Sequence, residues 1–169
     1  MDKEKMLYLL SLLNDKLKFN ELQGQLYLYG GAVMCLVLNA RSFTEDIDAI
    51  FEPRVDIRRF IEQIAEDEGV RYDWLNDGMK GFLSSNEHFN EFDSFSNLDI
   101  MTISPEYLFA MKVFASRIGN KSDISDIEFL IRHLEIKNMD DAFAIIEKYY
   151  PLDIMPPRAR YVLADILGE

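Results

Sequence analysis

The chain has a single cysteine, two histidines and no long apolar run, and each scarcity excludes a class of site or location. One cysteine cannot form an intramolecular disulfide, and Cys35 lies in the apolar stretch 33–37, so we expect a buried core thiol. His88 and His133 lie far apart, without metal-ligand spacing, so zinc chemistry is not expected. No apolar run approaches the ~18–20 residues that span a bilayer, so we expect no membrane association.

Basic residues are also scarce. The sequence has 18 Lys and Arg against 30 Asp and Glu, which gives a net charge of −12. Proteins that grip nucleic acid through its phosphates usually carry a basic face, so tight autonomous binding of nucleic acid is disfavoured. The basic residues form only small groups. A local basic pocket could still bind one end of an acceptor nucleic acid. The charged N-terminal segment lacks a signal-peptide core, so we expect a cytoplasmic protein.

The composition is that of a globular protein, with 49% hydrophobic and 12% aromatic residues. A chain of 169 residues is long enough to bury a core and is typical of one domain. We therefore expect a single domain over 1–169. It would consist of an α/β core over 1–103 and a C-terminal helical bundle over 104–169 that packs on this core.

The hydrophobic periodicity of the first part predicts alternating helices and strands. An amphipathic helix is expected over 2–18, and Glu52-Pro53 should precede another that ends near Gly69 and buries Val55, Phe60, Ile61 and Ile64. Further segments are a strand over 25–29, a helix over 31–39, and strands over 46–51 and 98–103. The predicted fold class is therefore a mixture of helices and strands, α/β (α+β).

The segment from Tyr72 to Phe92 gives no clear period. Residues 74–78 resemble a turn or a short helix, Lys80-Gly81 resembles part of a loop over the site, and 93–96 resemble a turn or strand partner before the strand at 98. From Ser104 onward the pattern is helical. The predicted helices run from the Ser104 cap to about Ile118, from a Ser122 cap to about Leu134, from Met139 to Tyr149 and from Pro157 to Leu167.

Two motifs in the α/β core carry chemistry. Gly30 and Gly31 end a short strand and open an apolar helix, and such a turn presents backbone N–H groups that bind phosphate oxygens. After fourteen intervening residues, Asp46 and Asp48 alternate with Ile47, so both carboxylates lie on one face of a strand, about 6–7 Å apart. Two such carboxylates converge on one Mg²⁺ or straddle two.

Each motif alone is more often structural, since a glycine pair is commonly a tight turn and Asp-x-Asp is commonly a solvated strand end. Together they indicate a nucleotide site, with Arg41 and Thr44 between them. We expect Arg41 and Thr44 to organise the loop that presents Asp46, with Arg41 near phosphate.

The combination resembles the nucleotidyltransferase superfamily, the DNA polymerase β-like minimal fold, and within it small bacterial proteins related to the Abi-type toxin nucleotidyltransferases. The matching positions are Gly30-Gly31, Arg41, Thr44 to Asp48, Trp74 to Asp77, Ser104 to Glu106, Lys112, Arg117, Asp123 and Asp126. The resemblance covers about Tyr27 to Leu134. It implies a small mixed β-sheet flanked by helices, an NTP substrate, and Mg²⁺ or Mn²⁺ held by Asp46 and Asp48. The spacing from Gly31 to Asp46 is slightly longer than the commonest one.

The resemblance also implies a third carboxylate on a neighbouring strand that acts as a base toward the incoming hydroxyl. Asp99 fits best, because an ionisable group inside the apolar strand 98–102 otherwise needs an explanation. Glu91 and Asp93 are the alternatives.

The helical part adds four candidate nucleotide-binding residues. Lys112 lies among apolar residues and either reaches solvent or points into a polar cleft, and the resemblance favours contact with the nucleotide phosphates. Arg117 either assists or pairs with Asp123 or Asp126. The resemblance implies that these two aspartates line the active cleft. The alternative is that they lie at the start of a helix only because the helix dipole favours acidic residues there.

The leading interpretation is an enzyme that transfers a nucleoside monophosphate from NTP to an acceptor hydroxyl, as the RNA-modifying toxin of a toxin–antitoxin pair with an antitoxin protein as partner. A second is a transferase for a small cationic acceptor, which the acidic surface favours. A third is a degenerate fold that binds a nucleotide or a partner protein without turnover.

Overall fold

The computed structural model describes residues 1–78, 84 and 88–169. The chain divides into two compact units. One comprises the described residues of Met1–Gly81 together with Phe89–Ile103, and the other comprises the described residues of Phe82–His88 together with Ser104–Glu169. The first holds a β-sheet with three helices and the second is helical. This mixed architecture confirms the predicted fold class.

The helices of the α/β unit are α1 (Lys3–Phe19), α2 (Gly30–Leu36) and α3 (Arg54–Glu68). The Asp2 side chain caps α1 by accepting a hydrogen bond from the Lys5 N–H at 2.8 Å. The left-handed Gly69, with φ 64°, ends α3 as predicted. The buried face of α3 was predicted to include Val55, which is wrong, because its side chain is 82% exposed and Ile57 is buried in its place.

The five described strands are β1 (Gly24–Leu28), β2 (Ile47–Glu52), β3 (Leu75–Asn76), β4 (Phe89–Ser94) and β5 (Leu98–Ile103). They form one sheet in the order β3-β2-β1-β5-β4. β1 is antiparallel to β2 and parallel to β5, β2 is parallel to β3, and β4 is antiparallel to β5. The sheet is therefore mixed, as the resemblance implied.

One strand, β3, was missing from the sequence prediction, and a second, β4, was predicted only in part. Residues 75–76 form β3 instead of a turn or short helix, because Trp74 is buried and its indole N–H donates to the Ile61 carbonyl of α3 at 3.2 Å. β4 pairs along most of β5, and its last two residues, Asp93 and Ser94, belong to the segment 93–96 that was predicted as a turn or strand partner. The prediction for Lys80-Gly81 lies outside the described residues.

The core of this unit lies between one face of the sheet and the helices α1 and α3. The strands contribute alternate residues such as Leu26, Ile47 and Ile100, which are fully buried. Helix α1 contributes a stripe of buried residues at helical spacing: Met6, Leu9, Leu10, Leu13 and Leu17. The opposite face carries Gln25, Asp48, Asp99 and Met101, so the polar residues of interest lie on the face away from this core.

The helical unit contains α4 (Pro105–Ala115), α5 (Lys121–His133), α6 (Met139–Ile146) and α7 (Pro157–Leu167), with a short 3-10 turn at Leu152–Ile154. Ser104 caps α4 as predicted, since its Oγ accepts from the Tyr107 N–H at 3.2 Å. The predicted Ser122 cap is wrong, because Asn120 accepts from the Asp123 N–H at 3.0 Å and α5 begins one residue before Ser122. Helices α4 and α6 are each three residues shorter than predicted.

Within the described part of the chain, none of the helices combines the length and the apolar character that a bilayer crossing needs.

Candidate functional site

The two aspartates lie at the start of β2. Asp46 directly precedes the strand and Asp48 is its second residue, and both are partly exposed while Ile47 and Ala49 between and beyond them are buried. The Ile47 N–H donates to the Trp74 carbonyl at 2.8 Å, which fixes the start of β2 against β3. The strand alternation therefore places both carboxylates on the face away from the core, as the sequence predicted.

The glycine turn lies against Asp48. The Tyr29 N–H donates to the Asp48 carbonyl at 2.9 Å and so extends the β1–β2 pairing to the turn. Gly30 has a left-handed φ of 61°, and a Cβ placed there would lie 2.8 Å from Asp48 Oδ2. Only glycine meets both the backbone conformation and the close approach of the carboxylate.

Gly31 lies against the loop that joins α2 to β2. A Cβ at Gly31 would lie 2.5 Å from Thr44 Oγ1 and 3.6 Å from Arg41 Nη1. Thr44 is buried, and its hydroxyl donates to the Asp46 carbonyl at 3.2 Å. Arg41 and Thr44 are thus brought to the glycine pair, with Thr44 bonded to the backbone of Asp46. The Thr44 hydrogen bond ties this loop to Asp46, whereas the role of Arg41 in presenting Asp46 stays a prediction.

A third polar residue, Asn76, borders the site and was not singled out from the sequence. β3 pairs parallel with β2 so that Asn76 is the partner of Asp48. The Asn76 side-chain amide donates from Nδ2 to Asp46 Oδ2 at 3.1 Å. The only signal in the sequence was its position inside the Trp74 to Asp77 stretch of the resemblance, to which no role was given.

Burial changes the acidity of this site. Partial burial raises the pKa of the Asp46 carboxyl above its ordinary value, and the hydrogen bond from Asn76 opposes this shift. Since burial is the larger effect, the ionised carboxylate is held at a cost in free energy. A cation at this position would remove that cost.

The residues present fit a hard divalent cation. Asp46 and Asp48 offer carboxylate oxygens, and Mg²⁺ is typically held by one or two carboxylates together with substrate phosphates and water. In residues 1–78, 84 and 88–169, no group of three or more His, Cys, Asp or Glu side chains could hold a metal ion. A cation here would therefore depend on the two aspartates and on oxygens that a substrate would bring.

The structure does not bring Asp99 to the two aspartates. Its side chain is exposed, and its partner in β1 is Gln25, which in turn pairs with Glu52 of β2. Glu52 is four residues beyond Asp48, so Asp99 lies about 13 Å farther along the strand direction at ~3.3 Å per residue. Asp99 instead accepts a hydrogen bond from Ser94 Oγ at 3.1 Å.

The alternatives to Asp99 are no better placed. Glu91 and Asp93 lie on β4, the strand at the far end of the described sheet from β3, and both side chains are exposed. Neither belongs to a cluster with Asp46 and Asp48.

The four candidate residues of the helical unit form two ion pairs. Lys112 Nζ lies 2.6 Å from Asp126 Oδ2, with only 16% of the lysine side chain and 2% of the aspartate side chain exposed. Arg117 Nε lies 3.1 Å from Asp123 Oδ2 at the surface. The Lys112 side chain is thus held in a largely buried ion pair and does not extend into solvent. Contact of these residues with a nucleotide stays a prediction.

A family model described as "Nucleotidyltransferase of unknown function (DUF6036)" matches residues 4–153. The matched segment includes the glycine turn, both aspartates, Asn76 and the Lys112–Asp126 pair. Neither a curated protein nor a solved structure matches the chain.

Proposed function

Because the chain belongs to this family of nucleotidyltransferases, we propose that it transfers a nucleoside monophosphate from an NTP to an acceptor hydroxyl, with Mg²⁺ or Mn²⁺ at Asp46 and Asp48. The single observation that supports this most is the approach of the Gly30 turn to Asp48 Oδ2, at 2.8 Å from the Cβ position. It joins the phosphate-binding motif to the carboxylate pair in one place.

The two aspartates would hold the cation, and Gly30 and Gly31 would let the triphosphate approach the backbone. When bound, the divalent ion offsets the negative charge of the triphosphate as pyrophosphate leaves. Arg41, whose Nη1 lies 3.6 Å from the Cβ position of Gly31, is a cationic side chain close to the turn and would contact the phosphates.

In the reaction, the acceptor oxygen forms a bond to the α-phosphorus, and the bond to the β-phosphate oxygen breaks. We propose that the acceptor proton passes to solvent, because Asp99 lies about 13 Å away along the strand direction. Asp99 is therefore not part of the proposed catalytic group.

The net charge favours one class of acceptor. Because a net charge of −12 disfavours an extended polyanion such as RNA, we propose a small cationic hydroxyl compound as the acceptor. The RNA-modifying toxin with an antitoxin partner, which the resemblance implies, is the second candidate. It would require a local basic surface strong enough to overcome the overall charge.

A nucleotide-binding protein without turnover is the other candidate function. It is favoured by one observation, that no third carboxylate in the described residues joins Asp46 and Asp48. Both functions require the same metal–nucleotide site, so turnover alone separates them.

Calorimetric titration with a non-hydrolysable NTP analogue and Mg²⁺ tests the site. Asp46→Ala combined with Asp48→Ala should weaken binding by at least about tenfold, since the two residues that would hold the cation are removed. Asp99→Ala is the matched control and should leave binding unchanged, because it removes a carboxylate from the same sheet face outside the site. Unchanged binding in the double variant would place the nucleotide elsewhere.

A further inference from the structure

Asn76 lies on β3, the strand next to Asp48, at a position where an acidic residue would add a third carboxylate to the site. Paired residues of neighbouring strands project to the same face, so Asp48 and its partner Asn76 share the face that carries Asp46. The position is thus filled by a neutral amide, and the described cluster carries two carboxylates instead of three.

The amide has a fixed orientation. Its Nδ2 donates to Asp46 Oδ2 at 3.1 Å, and its Oδ1 accepts from the Gly78 N–H at 3.0 Å. The reverse orientation would set an oxygen against the carboxylate and an N–H donor against another donor. Asn76 therefore binds both Asp46 and the backbone that follows β3.

The number of carboxylates limits what this cluster can hold. Among the described residues, no third carboxylate joins Asp46 and Asp48, and Asp46 Oδ2 also accepts a hydrogen bond from Asn76. One or two carboxylates are the usual protein contribution to a single Mg²⁺ site, so the two aspartates suffice for one cation between them.

We propose that Asn76 is a positioning residue that holds Asp46 in place and restricts the protein side chains to a single divalent cation. The proposal rests on the function proposed above. It also implies that a carboxylate at position 76 would supply a third metal ligand, since divalent-ion affinity rises with the number of charged ligands.

The test is a Mn²⁺ titration of the nucleotide-free protein followed by electron paramagnetic resonance. The same titration on the Asp46→Ala, Asp48→Ala double variant counts the Mn²⁺ ions that bind elsewhere on the surface. This number is subtracted from the number bound by the wild type. The wild-type protein should then bind one Mn²⁺. Asn76→Asp should bind Mn²⁺ about tenfold more tightly, whereas Asn90→Asp, which adds the same charge at an exposed position on β4, should bind as the wild type does.

A second variant and a thermal melt guard against misfolding. Asn76→Ala should fold and bind Mn²⁺ at least about threefold more weakly, because Asp46 is no longer held. Asn76→Asp should melt lower than the wild type in chelator and gain more stability from Mn²⁺, since a third carboxylate beside Asp46 repels it until a cation binds.

Two wild-type Mn²⁺ ions after subtraction, or affinities of both Asn76 variants equal to that of Asn90→Asp, would overturn the inference. If instead the double aspartate variant binds Mn²⁺ as the wild type does, the proposed metal site itself is wrong. The two failures are therefore distinguishable.

Discussion

At the scale of single residues, Gly30 and Gly69 form a natural pair for comparison. Both have left-handed backbones, with φ of 61° and 64°. A Cβ at Gly30 would lie 2.8 Å from Asp48 Oδ2, whereas a Cβ at Gly69 would meet nothing within 4 Å. Comparing the same substitution at both glycines therefore separates the effect of backbone strain from the effect of displacing the Asp48 carboxylate.

Alanine at either position should lower the free energy of unfolding by about 1–2 kcal/mol, the cost of a left-handed alanine. Only Gly30→Ala should also weaken the binding of Mg²⁺ and NTP, because its methyl group displaces Asp48. Urea unfolding and calorimetry measure the two effects. Equal nucleotide affinities for Gly30→Ala and Gly69→Ala would show that the turn is purely structural.

Asp46 gives a pH-dependent prediction. Burial raises its pKa in the folded protein above the ordinary value of 3.8. Between pH 3.8 and the higher pKa of the folded state, the folded protein binds more protons at Asp46 than the unfolded protein does. The free energy of unfolding therefore falls as pH rises through this window, and the loss is complete above the folded pKa.

In metal-free buffer, Asp46→Asn should therefore be more stable than the wild type at pH 7. The gain should shrink as pH falls toward 3.8, the ordinary pKa. Asp99→Asn removes the same charge at an exposed position of the sheet and serves as the control. Urea unfolding across this pH range measures the difference, and a gain that is equal for both variants would contradict the predicted effect of burial.

Much of the site was predictable at this scale and part was not. The pattern of alternation placed Asp46 and Asp48 on one face, and the glycine pair was expected at the end of β1. Asp99 and Asn76 show the limit. Whether a strand residue lies level with another depends on the pairing register between strands, and local sequence carries little information about register.

At the scale of elements, the Lys112–Asp126 pair joins α4 to α5. Its 2.6 Å contact is largely removed from solvent. Breaking a buried pair from one side leaves an uncompensated charge, which costs more than replacing both partners.

Lys112→Met and Asp126→Asn should each lower the free energy of unfolding by about 3 kcal/mol. The double variant should lose less than the sum, with a coupling of about 1–3 kcal/mol. Chemical denaturation of the four proteins completes the cycle. A stable Lys112→Met variant that binds NTP poorly would instead favour the phosphate contact that the resemblance implies.

Elements with a strong period were predicted to within a few residues, and the misses have physical causes. Helix α7 was predicted with the bounds that it has, because proline begins it and glycine ends it. β3 has only two residues and is held by tertiary contacts of Trp74, so it leaves no periodic signal. Val55 was misplaced because it lies in the first turn of α3, where the buried face begins only at Ile57.

At the scale of the whole molecule, the net charge of −12 bears on the acceptor more than on the fold. The described residues divide into a sheet unit and a helical unit, with those of 82–88 assigned to the helical unit, whereas a single domain over 1–169 stays a prediction. The net charge was accessible from the sequence because it depends only on composition. The identity of the acceptor depends on surface details that composition does not specify.

The most direct test of the central claim is the fate of the α-phosphate. The protein is incubated with Mg²⁺ and each of the four NTPs, labelled at either the α- or the γ-phosphate, together with total RNA and a small-molecule extract. We expect label from the α-phosphate, and none from the γ-phosphate, to become covalently attached in the small-molecule fraction, and Asp46→Ala with Asp48→Ala to abolish it. Label in RNA would support the proposed transferase activity but would identify RNA as the acceptor. No transfer of α-label into RNA, protein or small molecules, or transfer that survives in the double variant, would contradict the account.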